Sequence, residues 1–244
     1  MYWNQTAYVN IAGNKTEETK IQRGVRQGCV LSPILFNIYS EKIFQEALEG
    51  SPEGIKINGE TINNIRYADD TVILASSLED LQTLLEKINA TSVKYGLNLN
   101  TSKTKYMTIS KNALPPMVLT LDRETIERVE RYTYLGSMVN SNWDQSVEVR
   151  CRIEKARTVF NKMKTFFVSR NLSLKLKIRM VRCYILPVLL YGVEAWTMTE
   201  ALMRRLESFE MWIYRRILRI SWIEHTTNEE VLRKMEINNM VTIL

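Results

Sequence analysis

The sequence predicts an α+β chain with a mixed strand-and-helix first half and a helical second half, divided near Asn140. Three observations carry this. Short β-rich runs separated by turn residues crowd the first 140 positions. Apolar residues recur at helical spacing over most of the remainder. With 45% apolar residues, 9 glycines and 5 prolines in 244, the chain can bury a core and is no linker.

The elements follow in order. Ala7 to Ile21 reads as a hairpin turning at Gly13-Asn14. Leu31-Ser32-Pro33 opens an apolar helix over 34–48, with Pro33 in the first turn, where a helix tolerates it. Ile55-Lys56-Ile57 and Thr61-Ile62 flank Asn58-Gly59, a two-residue hairpin signal. Arg66 to Ala75 is β-rich but broken by Asp69-Asp70. Ser77-Leu78-Glu79-Asp80 has capping-box spacing, and the helix over 78–95 should end at Gly96. Leu97 to Leu99 and Tyr106 to Ile109 read as strands, and Pro115-Pro116 as a break. Val118 to Leu121 and Ile126 to Val129 flank Asp122-Arg123-Glu124 as a further hairpin, and Tyr132 to Val139 is β-like.

In the second half, Asn142 or Asp144 starts a helix to about Arg170, with Val147, Cys151, Ile153, Val159 and Phe160 on its apolar side. A second helix begins near Ser173, and Pro187 should kink or end it. A third follows Thr199. Thr227-Asn228-Glu229-Glu230 caps a last short one.

Net charge is +6, unevenly spread. Residues 144–220 hold sixteen Lys+Arg against seven Asp+Glu. This is compatible with solvated helix faces or with a polyanionic partner. Three scattered cysteines in no metal-ligand spacing point to a reducing compartment. The single histidine, His225, argues against histidine metal sites and Ser-His triads. The first residues lack a signal-peptide core, and the longest apolar run, Tyr184 to Trp196, is too short for a bilayer. The expectation is an intracellular protein of nucleus or cytoplasm, neither secreted nor membrane-bound.

Asp69-Asp70 is the sharpest local feature. Adjacent carboxylates suit a strand poorly but suit a hairpin turn. As a bare pair they are more often an acidic surface turn. At a hairpin tip they are also a hard-oxygen site for Mg²⁺ and phosphoryl transfer. The surroundings favour the second reading. Tyr67-Ala68-Asp69-Asp70 resembles the metal-binding motif of reverse transcriptases. Upstream, Arg23-Gly24-Val25-Arg26-Gln27-Gly28-Cys29-Val30-Leu31-Ser32-Pro33 is similar to that family's nucleotide-pocket segment. Downstream, Gly96-Leu97-Asn98-Leu99-Asn100 with Lys103-Thr104-Lys105 resembles the next palm motif, and Tyr134-Leu135-Gly136-Ser137 the primer-grip hairpin. The match is to non-long-terminal-repeat (LINE-like) animal retrotransposons, and it spans essentially the whole chain.

The resemblance implies a polymerase palm over 1–140, an antiparallel sheet with backing helices, followed over 141–244 by an α-helical thumb or connection-like region. It implies RNA-directed DNA synthesis by two-metal nucleotidyl transfer, with Mg²⁺ or Mn²⁺, an RNA template, a DNA primer and deoxynucleotides. Asp69 and Asp70 would hold metal. Arg23, Gln27, Gly28 and Tyr67 would face the nucleotide, and Tyr134, Leu135 and Gly136 would steer the primer. Lys103 would be the proton donor to pyrophosphate, with Lys105 as its rival. Lys155, Arg157, Lys162 and Lys164 would track nucleic-acid phosphates. Helical spacing places Trp196, Phe209, Trp212 and Tyr214 in a core rather than on bases.

The family also uses a third aspartate on an earlier palm strand. Only 22 residues precede Arg23, and Asp69 is the first aspartate in the sequence. The expectation is a truncated copy lacking the fingers and first palm strand, inactive alone. Two alternatives stay open: a non-catalytic module that binds RNA or an RNA–DNA hybrid, and a retroelement relic without function.

Overall fold

The computed structural model describes residues 4–110 and 118–236. The chain folds as two compact units, one from Met1–Tyr106 with Pro115–Arg128, the other from Met107–Leu114 with Val129–Leu244. In sequence the two units meet between Arg128 and Val129. The hairpin before Asn140 goes with the helices because its backbone is hydrogen-bonded to helical side chains there. Pro115-Pro116 lies outside the described residues.

In the first unit, β1 (Gln5–Ala7) pairs with β4 (Thr19–Ile21), and β2 (Asn10–Ile11) with β3 (Asn14–Lys15). The turn is Ala12-Gly13, one residue earlier than expected. Both residues have positive φ, as this hairpin turn demands, and glycine takes one position without strain. Helix α1 (Ser32–Leu48) has Pro33 in its first turn. β5 (Ile55–Ile57) and β6 (Glu60–Ile62) turn at Asn58-Gly59 as expected, both left-handed. β7 (Asn64–Tyr67) and β8 (Asp70–Ile73) form the next hairpin. In α2 (Leu78–Lys94), the Ser77 hydroxyl accepts the Asp80 N–H at 3.0 Å, and Gly96 follows the helix at φ +71.

Leu97–Leu99 forms no strand, because the chain closes a turn at Asn100, whose side chain accepts the Lys103 N–H. β9 is only Lys105–Tyr106. β10 (Thr120–Leu121) and β11 (Glu124–Thr125) turn on Asp122-Arg123 alone, so Glu124 joins the strand. β12 (Glu127–Arg128) runs parallel to β9. Among the described residues the strands make seven two-stranded pairs, six of them antiparallel, rather than one continuous sheet. Helix α2 backs several of them, since Leu78 and Leu85 pack with Tyr106, Leu119, Leu121 and Ile126, and with Ile73 of β8.

In the second unit, β13 (Arg131–Tyr134) and β14 (Ser137–Asn140) precede α3 (Ser146–Lys162) and α4 (Lys164–Phe167). The expected helix to Arg170 breaks at Met163. The break lets Phe167 stack on Phe160, centroids 4.7 Å apart and planes 5° from parallel. The buried face of α3 includes Ile153 and Phe160 as expected, and Val159 packs against the same core. Val149, Ile153, Ala156 and Phe160 are buried, whereas Val147, Cys151 and Val159 are half-buried.

α5 (Leu174–Met180) runs through a π-turn at Val181–Ile185 into α6 (Leu186–Leu189). The wider turn accommodates Pro187, which lacks an N–H and would crowd a regular helix. α7 (Glu200–Leu218) is capped by the Thr199 hydroxyl, and α8 (Asn228–Met235) by a complete capping box at Thr227 and Glu230. His225 is exposed with a left-handed backbone after a short 3-10 turn.

Trp196, Phe209 and Tyr214 are buried in the core of this unit, and Trp212 packs against it, as helical spacing predicts. Burial, then the hydrogen bond the Tyr214 hydroxyl donates to Glu210, pushes that phenol far above its usual pKa. Among the described residues no helix is long and apolar enough to cross a membrane.

Candidate functional site

The carboxylate pair sits at the tip of the β7–β8 hairpin. Tyr67 pairs with Asp70, so the turn is Ala68-Asp69, and Asp70 is the first residue of β8. Ala68 takes φ +54 to close it. Both aspartates therefore belong to this one hairpin, Asp69 in the turn and Asp70 at the start of β8. Tyr67, Asp69 and Asp70 are all exposed. One pair below the tip, where Arg66 faces Thr71, Arg66 is tied to Glu41 of α1 at 2.5 Å and lies over the Phe44 ring, 4.6 Å from its centroid. The tip is open while the strand leading into it is anchored to α1.

The segment over 23–33 leads into α1. Gly28 has φ +84, and nothing lies within 4 Å of where its Cβ would be. That space permits close approach of a ligand to backbone. Arg23 lies over Gly96, its Nη1 3.4 Å from the position of a Cβ there, so these two motifs meet within the unit. Gln27 is exposed. Helices α1 and α2 are joined by the Tyr39 hydroxyl, which donates to the Tyr95 carbonyl at 2.5 Å. Lys105 is bound to Glu127 at 2.5 Å. Lys103 is exposed and, among the described residues, enters no ion pair.

In the second unit the β13–β14 turn is Leu135-Gly136, both left-handed. A buried cluster that hydropathy did not flag holds it. Arg152 meets Glu148 at 2.6 Å, with side chains 6% and 2% exposed. Glu148 accepts the Met138 N–H at 3.0 Å. Arg152 donates to the Gly136 carbonyl and lies over the Tyr191 ring, 4.5 Å from its centroid. The Tyr191 hydroxyl donates to the Leu135 carbonyl at 2.7 Å. Only the i, i+4 spacing of Glu148 and Arg152 hinted at this in the sequence.

Gly192 completes the clamp. Its φ is +76, and a Cβ would lie 2.6 Å from Ser137 Oγ. Gly192→Ala should destabilise this unit by about 1–2 kcal/mol, the cost of left-handed backbone for an L side chain. Urea unfolding followed by circular dichroism measures it, and an unchanged midpoint would contradict the close approach.

The basic candidates separate. Lys155, Lys162 and Lys164 are exposed. Lys155 and Lys162 lie two turns apart on one side of α3. Arg157 is instead half-buried, 4.8 Å from the Trp212 ring centroid, and 3.3 Å from Glu154. Arg152 and Lys177 are buried, so part of the basic excess is internal. Among the described residues no group of three or more His, Cys, Asp or Glu is placed to hold a metal ion.

The order of motifs, the exposed double-aspartate hairpin and the helical unit after it define a polymerase-like chain. The profile of reverse transcriptase (RNA-dependent DNA polymerase) matches residues 1–139, and the chain belongs to that family. It is similar to a transposon-derived protein of Caenorhabditis elegans, 29% identical over 170 residues, covering 68% of this chain and 60% of the relative. It is also similar to the RNA-directed DNA polymerase from mobile element jockey of Drosophila funebris, 25% identical over 204 residues, covering 80% of this chain. A Pol polyprotein of a type-1 retrotransposable element from Nasonia vitripennis is 27% identical over 151 residues, covering 58% of this chain. The chain spans only 22% and 14% of the lengths of the last two.

Proposed function

We propose that this chain is a palm-and-thumb portion of a non-long-terminal-repeat retrotransposon reverse transcriptase. The palm region covers 1–140, and the thumb or connection-like region covers 141–244. The observation that carries the reading is the Tyr67-Ala68-Asp69-Asp70 hairpin, exposed at its tip and flanked in family order by the other three motifs.

Enzymes of this family act on a nucleic-acid template and primer and use divalent metal. The donor set fits one such ion. Asp69 and Asp70 are hard oxygen ligands, and Mg²⁺ or Mn²⁺ is commonly held by one or two carboxylates plus substrate phosphates. When bound, the metal would neutralise charge on the transferring phosphoryl group. Bridging two cations in fixed geometry needs a ligand from another element, and no aspartate precedes Asp69 in this sequence. This polypeptide alone is expected to show no appreciable polymerase activity.

Its own residues have narrower roles. Gly28 leaves room for a deoxynucleotide against backbone, and Arg23, Gln27 and Tyr67 would face that nucleotide. Lys103 is better suited than Lys105 to give a proton to pyrophosphate, because Glu127 already holds Lys105. Tyr134, Leu135 and Gly136 steer the primer from a turn clamped by Arg152 and Tyr191. Lys155, Lys162 and Lys164 meet phosphates of an RNA template–DNA primer duplex, or of an RNA–DNA hybrid if the chain acts only as a binding module. Arg157 contributes through packing on Trp212.

The test is binding of an RNA–DNA duplex to the full chain across a salt series. Affinity should fall linearly with salt on logarithmic axes. Changing Lys155, Lys162 and Lys164 together to alanine should flatten the slope by roughly 0.7–0.9 per lost phosphate contact. Absence of binding at low salt would overturn the reading.

A further inference from the structure

A cleft of about 300 Å³ opens on the helical unit between the turn entering α3 and the start of α7. Trp143 lines it and is 59% exposed. Its backbone is left-handed, φ +55, a conformation uncommon for a bulky residue and often retained where a site requires it. Core packing offsets neither the strain nor the exposed indole, since Trp143 stands outside the buried cluster. Ala201, Leu202 and Arg205 of α7 also line the cleft. Asp144, beside Trp143, accepts from the Ser146 N–H and hydroxyl at 2.8 and 2.7 Å. Those bonds, and then the charges of Arg150 and Arg205, hold its carboxyl below the usual range. Among the residues lining the cleft, Arg205 supplies a cation, and the Asp144 carboxylate is already hydrogen-bonded.

We propose that this cleft takes one unpaired base of a single nucleic-acid strand, stacked on Trp143, with Arg205 meeting the adjoining phosphate. This rests on reading the helical unit as a nucleic-acid grip. The cleft lies at the small end of ligand sites, so it suits a base with its sugar and excludes a duplex. An aromatic face beside a cation is how single strands are held without sequence preference. The excess of nine positive charges over residues 144–220 matches a polyanion.

The experiment is fluorescence anisotropy of a labelled oligothymidylate with the full chain at low salt, against an abasic strand of equal length. Trp143→Ala should weaken oligothymidylate binding roughly five- to hundred-fold, the range of one base–aromatic stack. Trp143→Phe should restore most of it, and the abasic strand should bind parent and Trp143→Ala alike. Arg205→Gln should flatten the salt slope by about 0.7. Equal oligothymidylate affinity for parent and Trp143→Ala would overturn the stacking site and leave the nucleic-acid grip standing. No binding of either strand by the parent would overturn the grip and the site together.

Discussion

Replacing Arg152 with methionine is expected to destabilise the helical unit by about 3–5 kcal/mol, the cost of removing one partner from a buried ion pair. The reason lies in what remains. Glu148 is 2% exposed and, among the described residues, would keep only the Met138 N–H as a partner. The Gly136 carbonyl would lose its guanidinium donor, and the Tyr191 ring its cation. Replacing both charges, Glu148→Leu with Arg152→Met, should recover part of the loss, because no uncompensated charge is then buried. Recovery should stay incomplete, since Met138 N–H and Gly136 carbonyl still need partners. Urea unfolding of the four proteins in the cycle measures this. Additive losses would contradict the coupling. Because the clamp holds the Leu135-Gly136 turn, the single variant should also loosen that hairpin.

Phe160→Ala is expected to cost a similar amount, about 3–5 kcal/mol, by leaving a cavity. Phe160 is fully buried, stacked on Phe167 and edge-on to Trp212 at 5.1 Å. Trp212 in turn carries Arg157 and Arg216, 4.8 and 4.1 Å from its ring centroid. Loss of Phe160 should therefore shift tryptophan fluorescence in the folded state as well as lower the urea midpoint. A cost below about 1 kcal/mol would mean that the aromatic core collapses freely around the missing ring.

Local signals in the sequence were legible where one residue type controls the backbone. Asn58-Gly59 turned where expected, Thr199 and Thr227 capped their helices, and Gly96 closed α2. Turn positions without that control slipped by a residue. Ala12-Gly13 replaced Gly13-Asn14, and Ala68-Asp69 made the turn that the two aspartates seemed to mark. Alanine carries no turn signal, so its left-handed backbone at positions 12 and 68 was invisible. Leu97–Leu99 has strand-like residues but no partner strand among the described residues. The clamp on the primer-grip-like turn was hidden for a different reason. Glu148 and Arg152 read as surface charges on a helix, and only packing shows that they are buried.

The site was legible as a set of motifs and less so as geometry. Family membership follows from the match over residues 1–139, and the hairpin displays its carboxylates openly. What Asp69 and Asp70 can do depends on whether this polypeptide alone assembles a two-metal centre. The direct measurement is extension of a DNA primer on an RNA template by the purified 244-residue chain with Mg²⁺ or Mn²⁺. The expected result is no extension above background, unchanged in Asp69→Asn. Robust extension that disappears in Asp69→Asn would contradict the account.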